Sequence, residues 1–403
     1  MNTTALRDYL VVTGNYWTFT VTDGAIRMLV VLFFHQLGYT PLEIALLFLF
    51  YEFFGVVTNM VGGWIGARIG LNRTMQVGTA LQIFALTMLT VPETWLSVGY
   101  VMFAQALSGV AKDLNKMSAK SSVKWLVADE DSRLFRWVAV LTGSKNALKG
   151  VGFFVGGLLL ATVGFRWGLL ILAAALVVAL MATLVLLPAG MGRSRVKPKF
   201  QQVFSKSREI NWLSGARFFL FGARDIWFVV ALPVFLYELG WDFWQVGGFL
   251  ALWVIGYGFI QASAPPLLRR SHPGQGPDGG TARLWTFGLA LVPAAIALAL
   301  MAGLDPASSV IIGLAVFGIV FAINSSVHSY LILAYSDHDK VALNVGFYYM
   351  SNAGGRLAGT VLSGWVFQEY GLVGCLWGSA LFVMAAGLLS LPLPAARAAD
   401  TSN

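Results

Sequence analysis

Charge is scarce in this sequence. Asp, Glu, Lys and Arg make up 11% of its 403 residues, where an average soluble protein carries about 25%. A soluble chain of this size needs a charged coat, so this one must present its surface to lipid. Cysteine is nearly absent. Cys375 alone excludes an internal disulfide and a thiolate metal cluster within one chain. There is no CxxC, HExxH, Walker loop or GxSxG. The sequence therefore offers no catalytic residue, no metal site and no cofactor motif, and it reads as something other than an enzyme. Apolar residues are plentiful, at 57%, with 44 Gly, 29 Phe and 14 Trp. Glycine suits close helix packing, and aromatic residues suit membrane–water interfaces.

A membrane-crossing helix needs roughly 20 mostly apolar residues. Such runs fall near 13–36, 42–65, 74–91, 95–115, 137–162 and 167–188. A second six fall near 212–237, 243–267, 284–303, 307–334, 341–368 and 371–392. The expected fold is all-α, with twelve transmembrane helices in two halves, 1–189 and 212–403, joined by a basic linker at 190–211. Residues 269–283, rich in Gly and Pro, read as a flexible loop. The first apolar run lacks a cleavage pattern and is expected to be a retained helix.

The net charge of +8 reflects topology and not a nucleic-acid surface. Of the 27 Lys and Arg residues, 20 fall on the side of the N-terminus. The opposite loops hold Arg166 beside Glu93, Asp242, Asp305 and Glu369. The positive-inside rule then makes both termini cytoplasmic. The expected location is a bacterial inner membrane, and the expected state is a monomer in the lipid bilayer.

The halves repeat one another. HQLGYTPLEI (35–44) matches YELGWDFWQV (237–246) at an offset of 202, which also places Asp23 on Asp225. SKNALKGVGFFVGG (144–157) matches SNAGGRLAGTVLSG (351–364) at an offset of 207, placing Lys149 on Arg356. Two parallel six-helix halves are similar to the major facilitator architecture, which holds its substrate near the midplane between them. GGWIGARIGLNR (62–73) resembles that family's helix 2–3 loop motif at Gly63, Arg68, Gly70 and Arg73. Ala67 stands where the motif has its acid, which puts the conformational lock of that acid in doubt.

Ionisable residues inside spans are costly and point to function. The deep cations are Arg27, Lys145, Lys149, Arg217, Arg224 and Arg356, and the deep acids are Asp23, Glu52 and Asp225. Cations exceed acids by three, so an anionic substrate is expected. Arg suits a phosphate-like oxyanion through its planar fork. Lys149 and Arg356 are symmetric, with no obvious acid on their own helices. Arg27 with Lys149, and Arg224 with Arg356, are the expected cationic clusters. Lys145, Asn115, Lys116, Asn324, Tyr348 and Asn352 complete the candidate substrate site, and Asp23, Glu52, Asp225 and His328 are candidates for ion pairing or coupling. Asp23–Arg27 also reads as a structural pair, Arg224–Asp225 as neighbours about 100° apart, and Arg217, Lys120 and Lys124 as snorkelling side chains. His328 reads more simply as a hydrogen-bonded core residue.

Four segments carry a narrower resemblance: NYWTFTVTDGAIRMLVVL (15–32), FFGVVTNMVGGWIGARIGLNRT (53–74), SGVAKDLNKMSAKSS (108–122) and LTGSKNALKGVGFF (141–154). They resemble the bacterial organoarsenical efflux permeases of the major facilitator superfamily. That resemblance implies export of 1-arseno-3-phosphoglycerate, formed when cytosolic glyceraldehyde-3-phosphate dehydrogenase uses arsenate, and hence arsenate resistance. The alternatives are an organophosphate or oxyanion exchanger on the same fold and, more remotely, a membrane enzyme or receptor. The receptor reading conflicts with a C-terminal tail of only a few residues.

Overall fold

The computed structural model describes residues 3–39, 47–126, 131–188, 190–193, 207–268 and 276–395. Most of the 190–211 linker, and the 269–275 part of the Gly/Pro loop, lie outside the described residues.

Those residues form helices and no strand. In chain order they are α1 (Thr3–Gln36), α2 (Leu49–Ile69), α3 (Leu71–Met88) and α4 (Val98–Leu126). The stretch Asp131–Leu186 breaks at Gly164 into α5 (131–163) and α6 (165–186). Next come α7 (Arg208–Glu238), α8 (Phe243–Ala262), α9 (Gly279–Met301) and α10 (Pro306–Ala334). Val341–Ser390 breaks at Gly371 into α11 (341–370) and α12 (372–390). Gly164 and Gly371 have φ of 79° and 61°, a left-handed backbone that glycine adopts without a Cβ penalty. They stand 207 residues apart, the same offset that relates Lys149 to Arg356.

Polar residues mark the helix starts. Asp242 and Asp278 form reciprocal capping boxes with Gln245 and Thr281. Asp305 accepts from the Ser308 amide at 2.8 Å, with Pro306 at the first helical position. That amide bond holds the exposed Asp305 carboxyl below its usual range.

Among the described residues, seven helical stretches are long and apolar enough to cross a bilayer, two of them being the doubled Arg133–Leu186 and Val341–Ser390. Large apolar side chains such as Val185, Leu252, Ile312 and Leu381 are exposed along them, as a lipid-facing surface requires. The more polar α2, α3 and α4 complete twelve. Among the described residues the expected number of long helices is thus observed, with several boundaries corrected; α1 begins at Thr3 and not at 13. α4 runs to Leu126 and not to 115, and α5 begins at 131 and not at 137. The polar run from Lys112 to Lys124 lowers local hydropathy and so mimics a helix end. Lys120 and Lys124 are in fact buried and do not snorkel.

The chain divides into two compact units. The first contains 1–130, 144–205 and 337–350; the second contains 131–143, 206–336 and 351–403. Each has its own apolar core. In the first, Phe19, Ile26, Leu29 and Phe34 of α1 pack with Leu169 and Leu176 of α6. In the second, Trp227, Phe317, Phe321, Leu376 and Val383 pack together.

Small residues set the closest helix approaches. In the first unit a Cβ added to Gly152 of α5 would lie 2.5 Å from the Val21 carbonyl and 3.0 Å from Gly24 Cα. In the second, a Cβ on Gly359 of α11 would lie 2.4 Å from the Gly222 carbonyl and 3.1 Å from Asp225 Cβ. The backbones of α1 and α5, and of α7 and α11, therefore touch. Gly63 of the loop motif meets Gly346 of α11 in the same manner. Gly152→Val and Gly359→Val should each destabilise the folded protein by about 1–3 kcal/mol through overpacking, read as a lower Tm in detergent. Gly14→Ala, with open space around it, should leave Tm within a degree or so.

Candidate functional site

The close approach of α1 to α5 brings an acid to a base. Lys149 Nζ lies 3.7 Å from Asp23 Oδ2, and Gly152, one turn after Lys149, is the residue that lets the helices meet. Tyr51 of α2 donates its hydroxyl to Asp23 Oδ1 at 2.5 Å. Arg27, one turn after Asp23, pairs with Glu52 at 3.1 Å and stacks over Tyr51, 4.8 Å from the ring centre. Its Nε is buried without a protein acceptor, and so is the Tyr16 hydroxyl. Lys112 Nζ of α4 also lies over the Tyr51 ring, 3.8 Å from its centre, and 3.7 Å from Asp113. Asp113 also pairs with Lys116, whose ammonium lies over the Tyr349 ring. Lys120 donates to the Tyr349 hydroxyl at 2.5 Å. The first unit thus holds one cluster around Tyr51 and Asp23.

The second unit repeats the design with fewer parts. Asp225 of α7 is fully buried and accepts from two guanidinium groups. Arg224 Nη2 lies 2.5 Å from Oδ1, and Arg356 Nε donates to Oδ2 at 3.0 Å. Gly359, one turn after Arg356, permits this contact as Gly152 does for Lys149. The repeat offsets thus correspond to the same acid-to-cation pairing between homologous helices.

These contacts revise the expected pairings. Lys149 and Arg356 find their acids on the neighbouring helix, a partner that reading each helix alone does not reveal. Arg27 takes Glu52, so Asp23 is not its ion-pair partner. Arg224 does reach Asp225, because the long Arg stem bends across the 100° between adjacent positions. Arg217 is buried, donating Nε to Asn352 Oδ1 at 2.9 Å and Nη1 to the Ser325 hydroxyl at 3.2 Å, so it does not snorkel.

The other expected residues scatter. Asn115 donates to Thr79 at 3.0 Å and Asn324 to Thr286 at 2.8 Å, both as helix-to-helix bonds. Lys145 donates to Asn146. Tyr348 is buried and forms an edge contact with Tyr349. His328 is buried. In the loop motif, Arg68 lies over Trp64, Gly70 takes φ of 100°, and Arg73 is exposed. Tyr51, Asp113, Lys112 and Tyr349 were not among the expected site residues. The signal for Asp113 and Lys112 is the buried Ser108, Asn115, Ser118 and Ser122 stripe around them, which marks helix interior and not helix end.

Twelve long helices among the described residues, with an ionic cluster buried inside each unit, fit a polytopic carrier of solutes. The sequence matches the Major Facilitator Superfamily over residues 12–335, and the chain belongs to that family. It is a multi-pass membrane transporter and not an enzyme. No curated protein matches its sequence. Among solved structures it is similar to the proton:xylose symporter XylE at 11% identity, covering 95% of this chain and 94% of that one, with a TM-score of 0.76. It is also similar to the human organic anion transporter TETRAN at 14% identity, covering 96% and 99%, with a TM-score of 0.76. A bacterial homologue of the iron transporter ferroportin matches at 18% identity over 95% and 98%, with a TM-score of 0.73. Identities this low speak for the fold alone.

Removing one partner of a buried pair strands the other charge. Asp225→Asn should therefore destabilise the protein by about 3–5 kcal/mol, with a correspondingly lower denaturation midpoint. The triple variant Asp225→Asn/Arg224→Gln/Arg356→Gln should recover at least half of that loss. Strictly additive losses would mean that the three groups do not interact.

Proposed function

We propose that the protein exports a small organic anion bearing phosphate-type oxyanion groups, and that the solute is 1-arseno-3-phosphoglycerate. The observation that carries this reading is the charge balance of the clusters. The first brings together Arg27, Lys112, Lys116 and Lys149 with Asp23, Glu52 and Asp113; the second brings together Arg224 and Arg356 with Asp225. Among the described residues, the cations named here outnumber the carboxylates named here by one in each. A solute oxyanion would bring negative charge to these cation-rich clusters and accept paired hydrogen bonds from Arg. Arg27 Nε and the Tyr16 hydroxyl, buried without protein partners, are donors for it. A pentavalent arsenate ester needs only such donors, and a chain with one cysteine fits that chemistry better than it fits trivalent arsenic, which binds several thiolates.

In this reading Asp23, Glu52 and Asp225 hold the cations in place until the solute competes for them. Protonation of one of these acids would free its cation for the solute, which is a route to proton-coupled export. The halves 1–189 and 212–403 alternate access, both termini face the cytoplasm, and the protein sits in a bacterial inner membrane. Export depends on cytosolic glyceraldehyde-3-phosphate dehydrogenase to form the solute. The rival reading, an organophosphate or oxyanion exchanger, shares the deep arginines on α1 and α7.

Everted vesicles separate the two. With dehydrogenase, its cofactor, glyceraldehyde 3-phosphate and radiolabelled arsenate outside, trapped arsenic should require both the dehydrogenase and this protein. Lys149→Ala and Arg356→Ala should each lower uptake at least tenfold with the folded protein still in the membrane. Arsenate uptake without the dehydrogenase would favour the oxyanion exchanger, and normal uptake in both variants would overturn the site.

A further inference from the structure

The surface of the second unit carries a recess of about 580 Å³ between α9 and α10. Ile296 of α9 and Gly313 of α10 lie at its floor. Ile296 is buried, and a Cβ on Gly313 would stand 2.3 Å from Ile296 Cγ1. The missing side chain thus lets the two helices close beneath the recess. Leu291, Leu304, Ile312 and Val316 form its walls, and all four are exposed. One end is polar, lined by Asp305, Ser308 and Ser309. Asp305 is the only Asp, Glu, Lys or Arg between Arg283 and Asp337. The recess is an apolar trough with one carboxylate at its mouth.

Its length fits a lipid chain. The lining runs along α10 from Asp305 to Val316, about 16 Å at 1.5 Å per residue. The hydrocarbon core of a bilayer is about 30 Å thick, so the trough runs the depth of one leaflet. Its acid then lies where headgroups begin, because α9 and α10 are both spans long and apolar enough to cross that core. An acyl chain laid along the trough covers the four exposed walls.

The acid selects the headgroup. Asp305 accepts from the Ser308 amide at 2.8 Å, a bond that favours its charged form. The α9–α10 hairpin offers no Lys or Arg from 284 to 339, so an anionic headgroup meets only like charge there. A primary ammonium brings positive charge and three N–H donors, and its hydrogen bond to a carboxylate is charge-assisted.

We propose that the α9–α10 trough binds a phospholipid whose headgroup carries a primary ammonium, with an acyl chain along its walls and the ammonium at Asp305. The proposal rests on the membrane-spanning fold and not on which solute the protein exports.

Photolabelling of the full-length protein in phosphatidylcholine vesicles tests it. Trace phosphatidylethanolamine or phosphatidylglycerol, each with the same diazirine-bearing acyl chain, is activated by light, and the adducts are mapped by peptide mass spectrometry. The expected result is at least fivefold more labelling of residues 291–316 by the ethanolamine lipid than by the glycerol lipid. Asp305→Asn removes the charge while Asn still caps the helix, and it should erase that preference. Asp242→Asn, the same change at the cap of α8, should leave it intact. Ala295→Phe, at an exposed position lining the trough, should lower labelling by both lipids. Equal labelling by the two lipids in folded protein, or a preference that survives Asp305→Asn, would overturn the proposal. Labelling by neither would also overturn it, and would mark a trough covered by protein, such as a second copy of this chain.

Discussion

The structure turns on one kind of contact, a buried carboxylate that holds a cation from the helix crossing beside it. Asp23 holds Lys149, and Asp225 holds Arg356. A charge in a span is tolerable only when paired or hydrated, so these contacts decide which helices must touch. The glycines at 152 and 359 follow from that need, because a Cβ at either would push the helices apart. Ion pair and glycine sit one turn from each other in both units. The pairing and the packing are therefore one constraint, stated twice by the repeat.

In the proposed function that constraint also shapes what the transporter does with solutes. A buried ion pair returns little net stability for its desolvation cost, so it is weakly defended against a competing anion. A solute oxyanion that takes the cation leaves the carboxylate needing a proton or another partner. In that reading the first cluster is the place of such exchange. Tyr51 donates to Asp23 and stacks with Arg27, while Lys112 lies against the same ring. Movement of one charge there is felt by all its neighbours.

Much of this was legible in the sequence. Scarce charge and twelve apolar runs imply the fold, and two repeat offsets match Asp23 with Asp225 and Lys149 with Arg356. The pairing itself was hidden, because it joins helices more than 100 residues apart in sequence. The end of α4 was misread for a different reason. Lys112, Asp113, Asn115 and Lys116 depress hydropathy as a loop does, yet they lie inside a 29-residue helix. Arg217 was misplaced by its nearness to the start of α7, where depth along the helix says nothing about which side faces the interior. Polar residues at helical spacing, and not mean hydropathy, carried the missing information.

The central claim is that surplus buried cations select an anionic solute. The direct measurement is Tm of the purified protein against rising concentrations of 2,3-bisphosphoglycerate, a stable three-carbon anion, with glycerol as the uncharged comparison. A ligand that binds the folded state raises Tm in a saturable way. The account predicts such a rise for the anion, none for glycerol, and loss of the rise in Lys149→Gln/Arg356→Gln. An equal response to both compounds, or an undiminished response in the double variant, would contradict it.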